Sequence, residues 1–273
     1  NADYTPTPPS FTGTKEFINY PLQNLVEFID WTPFFITWGL AGKYPAILTD
    51  KKIGSAAVDV FRDANALLKR IINENLLSAH AIIGFWPAAT YGNDVKVELN
   101  DGSTATFHFL RQQAKVPDKP SLCLADYIKP NGSPGADYLG GFAVSTGFGA
   151  EALSKEFENA GNDYDALLVK ALADRLAEAF AEHMHQKVRK TLWGYASDER
   201  LDQESLIADK YTGIRSAPGW QANPKQSQKA TMFKALNAEG SLSVARTESY
   251  AMTIAASVSE FYLSSQKSSY FPV

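Results

Sequence analysis

The chain has 273 residues, 45% of them hydrophobic and 21% charged, enough to bury a sizeable core of its own in one large domain or two closely fused ones. Its 26 basic and 30 acidic residues leave a formal charge of −4, and no Lys/Arg block forms the electrostatic footprint of a nucleic-acid binder. No apolar stretch approaches the ~18 residues of a membrane span, and Asn1-Ala2-Asp3-Tyr4 lacks a signal region.

The one cysteine, Cys123, cannot form an internal disulfide, and in the run Leu122-Cys123-Leu124-Ala125 it reads as a small buried hydrophobe. Together these features predict a cytoplasmic protein with neither nucleic acid nor membrane as partner. The opening Asn1-Ala2 fits a cloning remnant, which would make the chain an excised piece of a longer one.

Residues 1–14, rich in Pro, Thr and Ser, read as an extended lead-in or linker outside the core, with one domain over 15–273. Leu22 to Leu40 is aromatic-rich, and Pro33 marks a helix start with Asp30 or Thr32 near its cap. Residues 56 to 73 carry Val60, Phe61, Ala64, Leu67, Leu68 and Ile71 at helical spacing.

Val95, Val97 and Leu99 alternate with polar residues up to Asn100-Asp101-Gly102, and Ala105, Phe107 and Phe109 alternate after it, which predicts a hairpin. Ala81 to Trp86 and Tyr138 to Ser145 read as buried strands bounded by Pro and Gly. The longest helix is expected from Tyr164 to Trp193, where Leu168, Leu172, Leu176, Phe180, Met184, Val188 and Leu192 make one apolar stripe. Tyr211 to Gln228 reads as loop, Ala230 to Asn237 as a short helix, and Glu248 to Leu263 as closing strands.

Thr146-Gly147-Phe148-Gly149 lies between a strand and a helix, where a nucleotide could approach the backbone. No acidic residue ends a strand about 20 residues on, so a plain strand-to-helix turn is the better reading. The four histidines form no metal-ligand set, because His183 and His185 are two apart on a helix and face different sides. Glu178, Glu182, His185 and Arg189 share a helix face that reads as a solvated charged stripe. No side chain is identified as a covalent catalyst. In Gly213-Ile214-Arg215-Ser216-Ala217-Pro218-Gly219-Trp220, a carboxylate-binding fork sits among small residues in a loop outside the core.

Several long strings occur together in one order: Ile29-Asp30-Trp31-Thr32-Pro33-Phe34-Phe35, Leu40-Ala41-Gly42-Lys43-Tyr44-Pro45, Leu110-Arg111-Gln112-Gln113, Cys123-Leu124-Ala125-Asp126 and Lys170 through Glu182. They continue as Val188-Arg189-Lys190, Trp193-Gly194-Tyr195, Tyr211 through Gly219, Thr247-Glu248-Ser249 and Ala256-Ser257-Val258-Ser259. With these strings, from about Phe17 to Tyr270, the chain resembles the activation domain of cobalamin-dependent methionine synthase.

The resemblance implies an α+β fold, a twisted antiparallel sheet with flanking helices and one long buried helix, and S-adenosylmethionine bound in a shallow groove. It further implies that Asp30 binds the ligand's ammonium and Arg215 its carboxylate. Tyr270 and Phe271 would contribute backbone contacts near the adenosyl group, with Glu178 and Asp209 near the sulfonium, and Ala217, Gly219 and Trp220 belong to the same groove. Cobalamin would be carried by a neighbouring domain, a second partner being flavodoxin or a flavoprotein reductase. The module would serve a methyltransferase by reductive remethylation and be inactive alone.

The sequence departs from the family at Trp220, commonly Tyr, and at Gln221-Ala222-Asn223-Pro224, where the family has Pro-Ala-Cys-Pro. Thr253 through Glu260 stands for Trp-Pro-Gly-Ala-Ser-Val-Ser-Gly, and the family continues past the position of Val273 into a helical tail. Two alternatives to a methionine synthase domain are a stand-alone reactivating protein for a corrinoid enzyme and a docking module that has lost S-adenosylmethionine binding.

Overall fold

Alternation along one strand explains the layering. In β2 (Ser78–Tyr91), Ala81, Ile83 and Phe85 join one core while Ile82 and Trp86 join another, and all five are buried. A strand apolar on both faces has to be central, with a layer packed on each side. The computed structural model, which describes residues 5–113, 120–220, 222–242 and 252–272, shows this arrangement. Gln221, Thr247-Glu248-Ser249 and Val273 lie outside the described residues.

Along one edge β2 pairs with β5 (Asp137–Phe148), and along the other it pairs first with β1 (Gly13–Phe17) and then with β3 (Asp94–Glu98). With β4 (Thr104–His108), β6 (Ile214–Ser216) and β7 (Ser257–Leu263), the seven strands form one twisted antiparallel sheet in the order β4-β3-β2-β5-β7-β6, β1 lying off this path. The expected hairpin is β3–β4. Strand β2 runs past the expected boundary at Pro87. That residue falls between the last pair with β1, at Phe85, and the first with β3, at Ala88, a gap in which the edge can spare its N–H.

One face carries α1 (Thr32–Thr37), α2 (Gly54–Asn73), α3 (Ala150–Asn159) and α4 (Asp163–Lys187), which continues through a π-turn at Val188–Leu192. The other carries α6 (Gln228–Leu236) and α7 (Ala238–Leu242). The long central helix was therefore legible in the sequence nearly to its ends. Leu168, Leu172, Leu176, Phe180, Met184 and Val188 are fully buried along it, each such side chain contributing about 1.5–3 kcal/mol by leaving water.

Three expectations need correction. The charged stripe on α4 is solvated only at Glu178, which is exposed: His185 and Arg189 are 0% exposed and Glu182 is nearly buried, because β6, β7 and the segment before them cover that part of the face. Arg215 lies in a strand rather than a loop, since β6 adds three residues to the edge of β7. The helix start expected at Pro33 is seen, with Pro33 in the first turn of α1 and a 3-10 turn (Leu22–Phe28) before it. The lead-in is extended but tied down. Trp193 Nε1 donates to the Thr7 carbonyl at 2.8 Å, Phe11 packs on Phe85, and β1 already begins at Gly13.

The glycine turn after β5 is explained by packing. A Cβ on Gly147 would lie 2.6 Å from Ile254, while Gly149 has φ +92° and a Cβ there would meet the Leu76 carbonyl at 2.6 Å. Gly147 is required by close approach, and Gly149 by close approach together with its left-handed φ.

Candidate functional site

Where α4 crosses the β7–β6 edge, ionisable groups converge. Arg215 in β6 is registered with Tyr262 of β7, and period-2 alternation places Glu260 on the same face, two residues from Tyr262. Arg215 Nη1 donates to Glu260 Oε2 at 2.9 Å, and its Nη2 lies 3.5 Å from Glu182 Oε2 on α4. Gly213 permits this close packing. Its φ is +82°, and a Cβ there would lie 2.7 Å from the Tyr195 hydroxyl and 2.8 Å from the Leu263 carbonyl.

Asp209 reaches the same place by a different route. Helix α5 (Gln203–Ile207) is capped by Asp202, which accepts from Ser205 N at 2.8 Å. Two residues past the helix, Asp209 takes the left-handed conformation, φ +52°, which aspartate tolerates better than most side chains. Tyr211 donates its hydroxyl to Asp209 Oδ1 at 2.8 Å, so the proton in the 3.1 Å contact between Tyr211 and Tyr270 comes from Tyr270. The Tyr270 oxygen in turn accepts from Arg215 N at 3.3 Å. This chain of bonds ties the C-terminal segment to β6 and α5.

Burial sets the electrostatics. The Glu178 carboxyl is pushed up by desolvation, with Arg215 opposing and Glu260 adding to the rise. Glu182 is raised in the same way, against the pull of Arg215 and Arg189. Desolvation works against the charge of Arg215, but Glu260 and Glu182 overcome it and hold the guanidinium protonated. His185, stacked on Tyr262 and edge-on to Tyr211, is held well below the ordinary histidine range by burial and by the two arginines, and it is neutral.

These groups open onto a cleft of about 630 Å³ lined by Glu178, Asp209, Arg215, Ala217, Trp220 and Tyr270 together with Lys229, Met252, Glu260 and the Ser257–Ser259 strand. Trp220 and Tyr270 are exposed at its rim. Six of the nine residues implied by the resemblance thus share one cleft. Gly219, at φ +95°, adjoins Trp220. Phe271 is buried in the second core against Tyr127. Asp30 is not among the lining residues. Its Oδ1 accepts from Thr32 N at 2.9 Å, and Gln203 holds the neighbouring Ile29 carbonyl at 2.9 Å, so it stands beside the helix that leads to Asp209.

Sequence reasoning missed Glu260 and Lys229, and it set Glu182 aside as solvated. The sign for Glu260 was present in the alternation Val258, Glu260, Tyr262. For Glu182 it lay in the small residues Ala173, Ala177 and Ala181, which let other elements approach α4 on more than one side.

Volume does not choose this cleft. A space of about 810 Å³ beside Arg111 and another of about 710 Å³ along β4 and α6 are larger. In the first, Arg111 is already closed by a two-pronged pair with Asp126 at 2.7 Å, and the second gathers no comparable cluster of acids around a buried cation. Among the described residues no group of His, Cys, Asp and Glu is arranged to hold a metal ion, and no helix is long and apolar enough to cross a membrane.

Comparison with known proteins identifies the family and the fold. The family described as vitamin B12 dependent methionine synthase, activation domain, matches residues 21–273. The chain is similar to the crystal structure of the MetH reactivation domain bound to AdoHcy, with 43% identity and a TM-score of 0.95 over 99% of this chain and 84% of that one. A family match over nearly the whole length, carried by a shared fold, places the chain in one family: it belongs to the activation domains of vitamin B12-dependent methionine synthases.

Proposed function

We propose that the cleft beneath Arg215 binds S-adenosylmethionine and presents its methyl group to a cobalamin held by a neighbouring domain. The observation that carries this reading is the convergence of Glu178, Asp209, Arg215, Ala217, Trp220 and Tyr270 on one 630 Å³ space. A sulfonium is a fixed positive charge and favours carboxylates in range, which Glu178 and Asp209 supply. Arg215 offers a fork for the ligand's carboxylate. Asp30, outside the lining but beside the helix that leads to Asp209, is assigned to the ammonium. Trp220 and Tyr270 form the rim against which the adenosyl group lies.

The lining residues act by binding and orientation. A reduced cobalamin presented by the neighbouring domain would supply the nucleophile, and residues that hold the methyl group ready would make the encounter effectively intramolecular. The electron comes from flavodoxin or a flavoprotein reductase, and the domain alone turns over nothing. A cytoplasmic setting fits the single buried thiol of Cys123.

One observation favours a second reading, a docking module that no longer binds the ligand: Arg215 is already paired with Glu260. Calorimetric titration with S-adenosylmethionine separates the two. Saturable binding at one site, weakened by Arg215→Ala, is expected, and absence of binding overturns the first reading.

A further inference from the structure

Arg215 has a built-in rival for any ligand carboxylate. Its Nη1 is occupied by Glu260, and Glu260 belongs to β7, registered with Phe142 of β5. The carboxylate can rotate aside, but its backbone cannot leave the cleft. Three carboxylates, Glu178, Asp209 and Glu260, line that cleft against two cations, Arg215 and Lys229, and Glu182 adds a fourth behind Arg215. Arg189 does not redress the balance, because Glu199 holds it with bonds of 2.8 to 3.0 Å.

An entering carboxylate must therefore displace one that the protein provides, while an entering positive centre gains from the same group. In a methionine-derived ligand the carboxylate carbon and the sulfur are four bonds apart, about 5 Å when extended. A carboxylate seated beside Arg215 consequently acts on the sulfur as well, in a partly desolvated space where charges are weakly screened.

We propose that Glu260 determines the charge specificity of the cleft. It weakens capture of the ligand's carboxylate by Arg215, and it favours a sulfonium over the neutral thioether left after methyl transfer. In this way the site releases S-adenosylhomocysteine more readily than it releases S-adenosylmethionine. The inference rests on reading the cleft as the S-adenosylmethionine site.

The test is calorimetric titration of the 273-residue chain and of its Glu260→Gln variant with both ligands. In the unsubstituted chain the sulfonium ligand should bind at least about fivefold more tightly than the thioether. In Glu260→Gln the thioether should bind more tightly than before, and the preference should shrink about fivefold or more. Glutamine keeps the length and one acceptor for Arg215, and matching melting curves check the fold. If that variant does not fold, Glu260→Ala, titrated with the same two ligands, carries the test. Equal affinities in the unsubstituted chain, or a preference that survives Glu260→Gln, overturns the proposal. Failure of the unsubstituted chain to bind either ligand overturns the reading of the cleft, and the proposal with it.

Discussion

Two arginines reach Glu182 of α4, one from the π-turn that continues the helix and one from β6, and they differ in what closes them. Arg189 is fully buried, forked onto Glu199 and covered by the ring of Tyr211 at 4.4 Å from the guanidinium. Arg215 keeps 18% of its side chain exposed, holds Glu260 through one good bond and Glu182 through a long one, and opens onto the cleft. Glu182 stands between them, 3.7 Å from Arg189 and 3.5 Å from Arg215. An ion pair covered on all sides by the protein is closed to a ligand, even though Arg189 Nη1 has only the 3.7 Å contact with Glu182, whereas one that faces a cavity is available to a ligand. Residue type does not distinguish the two cases, but geometry does.

The most damaging way to test that contrast is Arg189→Ala, which leaves the Glu199 carboxylate buried without its partner. Stability measured by chemical denaturation should fall by about 3–5 kcal/mol. Arg215→Ala should lower the melting temperature less, because Glu260, its closer partner, lines the cleft and Glu182 keeps Arg189 in range; the larger loss is in affinity, about 1.5–3 kcal/mol of S-adenosylmethionine binding by calorimetry. Equal losses of stability in the two variants would erase the distinction.

Acid probes the space between them. The buried His185 is neutral and resists protonation, whereas in the unfolded chain it titrates near 6.5. Its contribution is complete above that pH and is lost on acidification, by about 1.4 kcal/mol per pH unit. His183, pushed down to about 4 by burial, acts with the same sign, though solvent screens it. Glu178 and Glu182 act oppositely, adding stability as pH falls through their raised pKa values towards 4.5. Thermal melts between pH 7 and 5 should therefore slope downwards in acid. His185→Gln should flatten the slope, and an unchanged slope would place the acid sensitivity elsewhere.

The smallest effect is expected at the edge of the site. Asp30→Asn keeps an acceptor for Thr32 N, so the melting temperature should hold, while S-adenosylmethionine binding weakens about tenfold, the size of one ~1.4 kcal/mol interaction. A lower melting temperature with unchanged affinity would make Asp30 structural.

Much of this was legible before any coordinates. Leu168 through Leu192 announced α4, and the Val95 and Phe107 alternations announced the β3–β4 hairpin, because a run of many residues repeats its period often enough to be read. Short elements escaped. The three residues of β6 have no period of their own and exist because β7 offers them an edge. The charged face of α4 was misread for a similar reason: spacing shows which residues share a face but not what covers it.

By itself, then, the sequence determined the α+β class, the central helix, the hairpin and, through its long shared strings, the family. Those properties are written in local periodicity and in residue identity. The pairing of Arg215 with Glu260 and Glu182, the burial of His185 and Arg189, and the separation of Asp30 from the cleft lining were decided only by the tertiary structure. They join residues 33 and 45 positions apart, or depend on elements that close over a helix from far along the chain. The energy of a charge depends on what surrounds it, and no local stretch of sequence contains those surroundings.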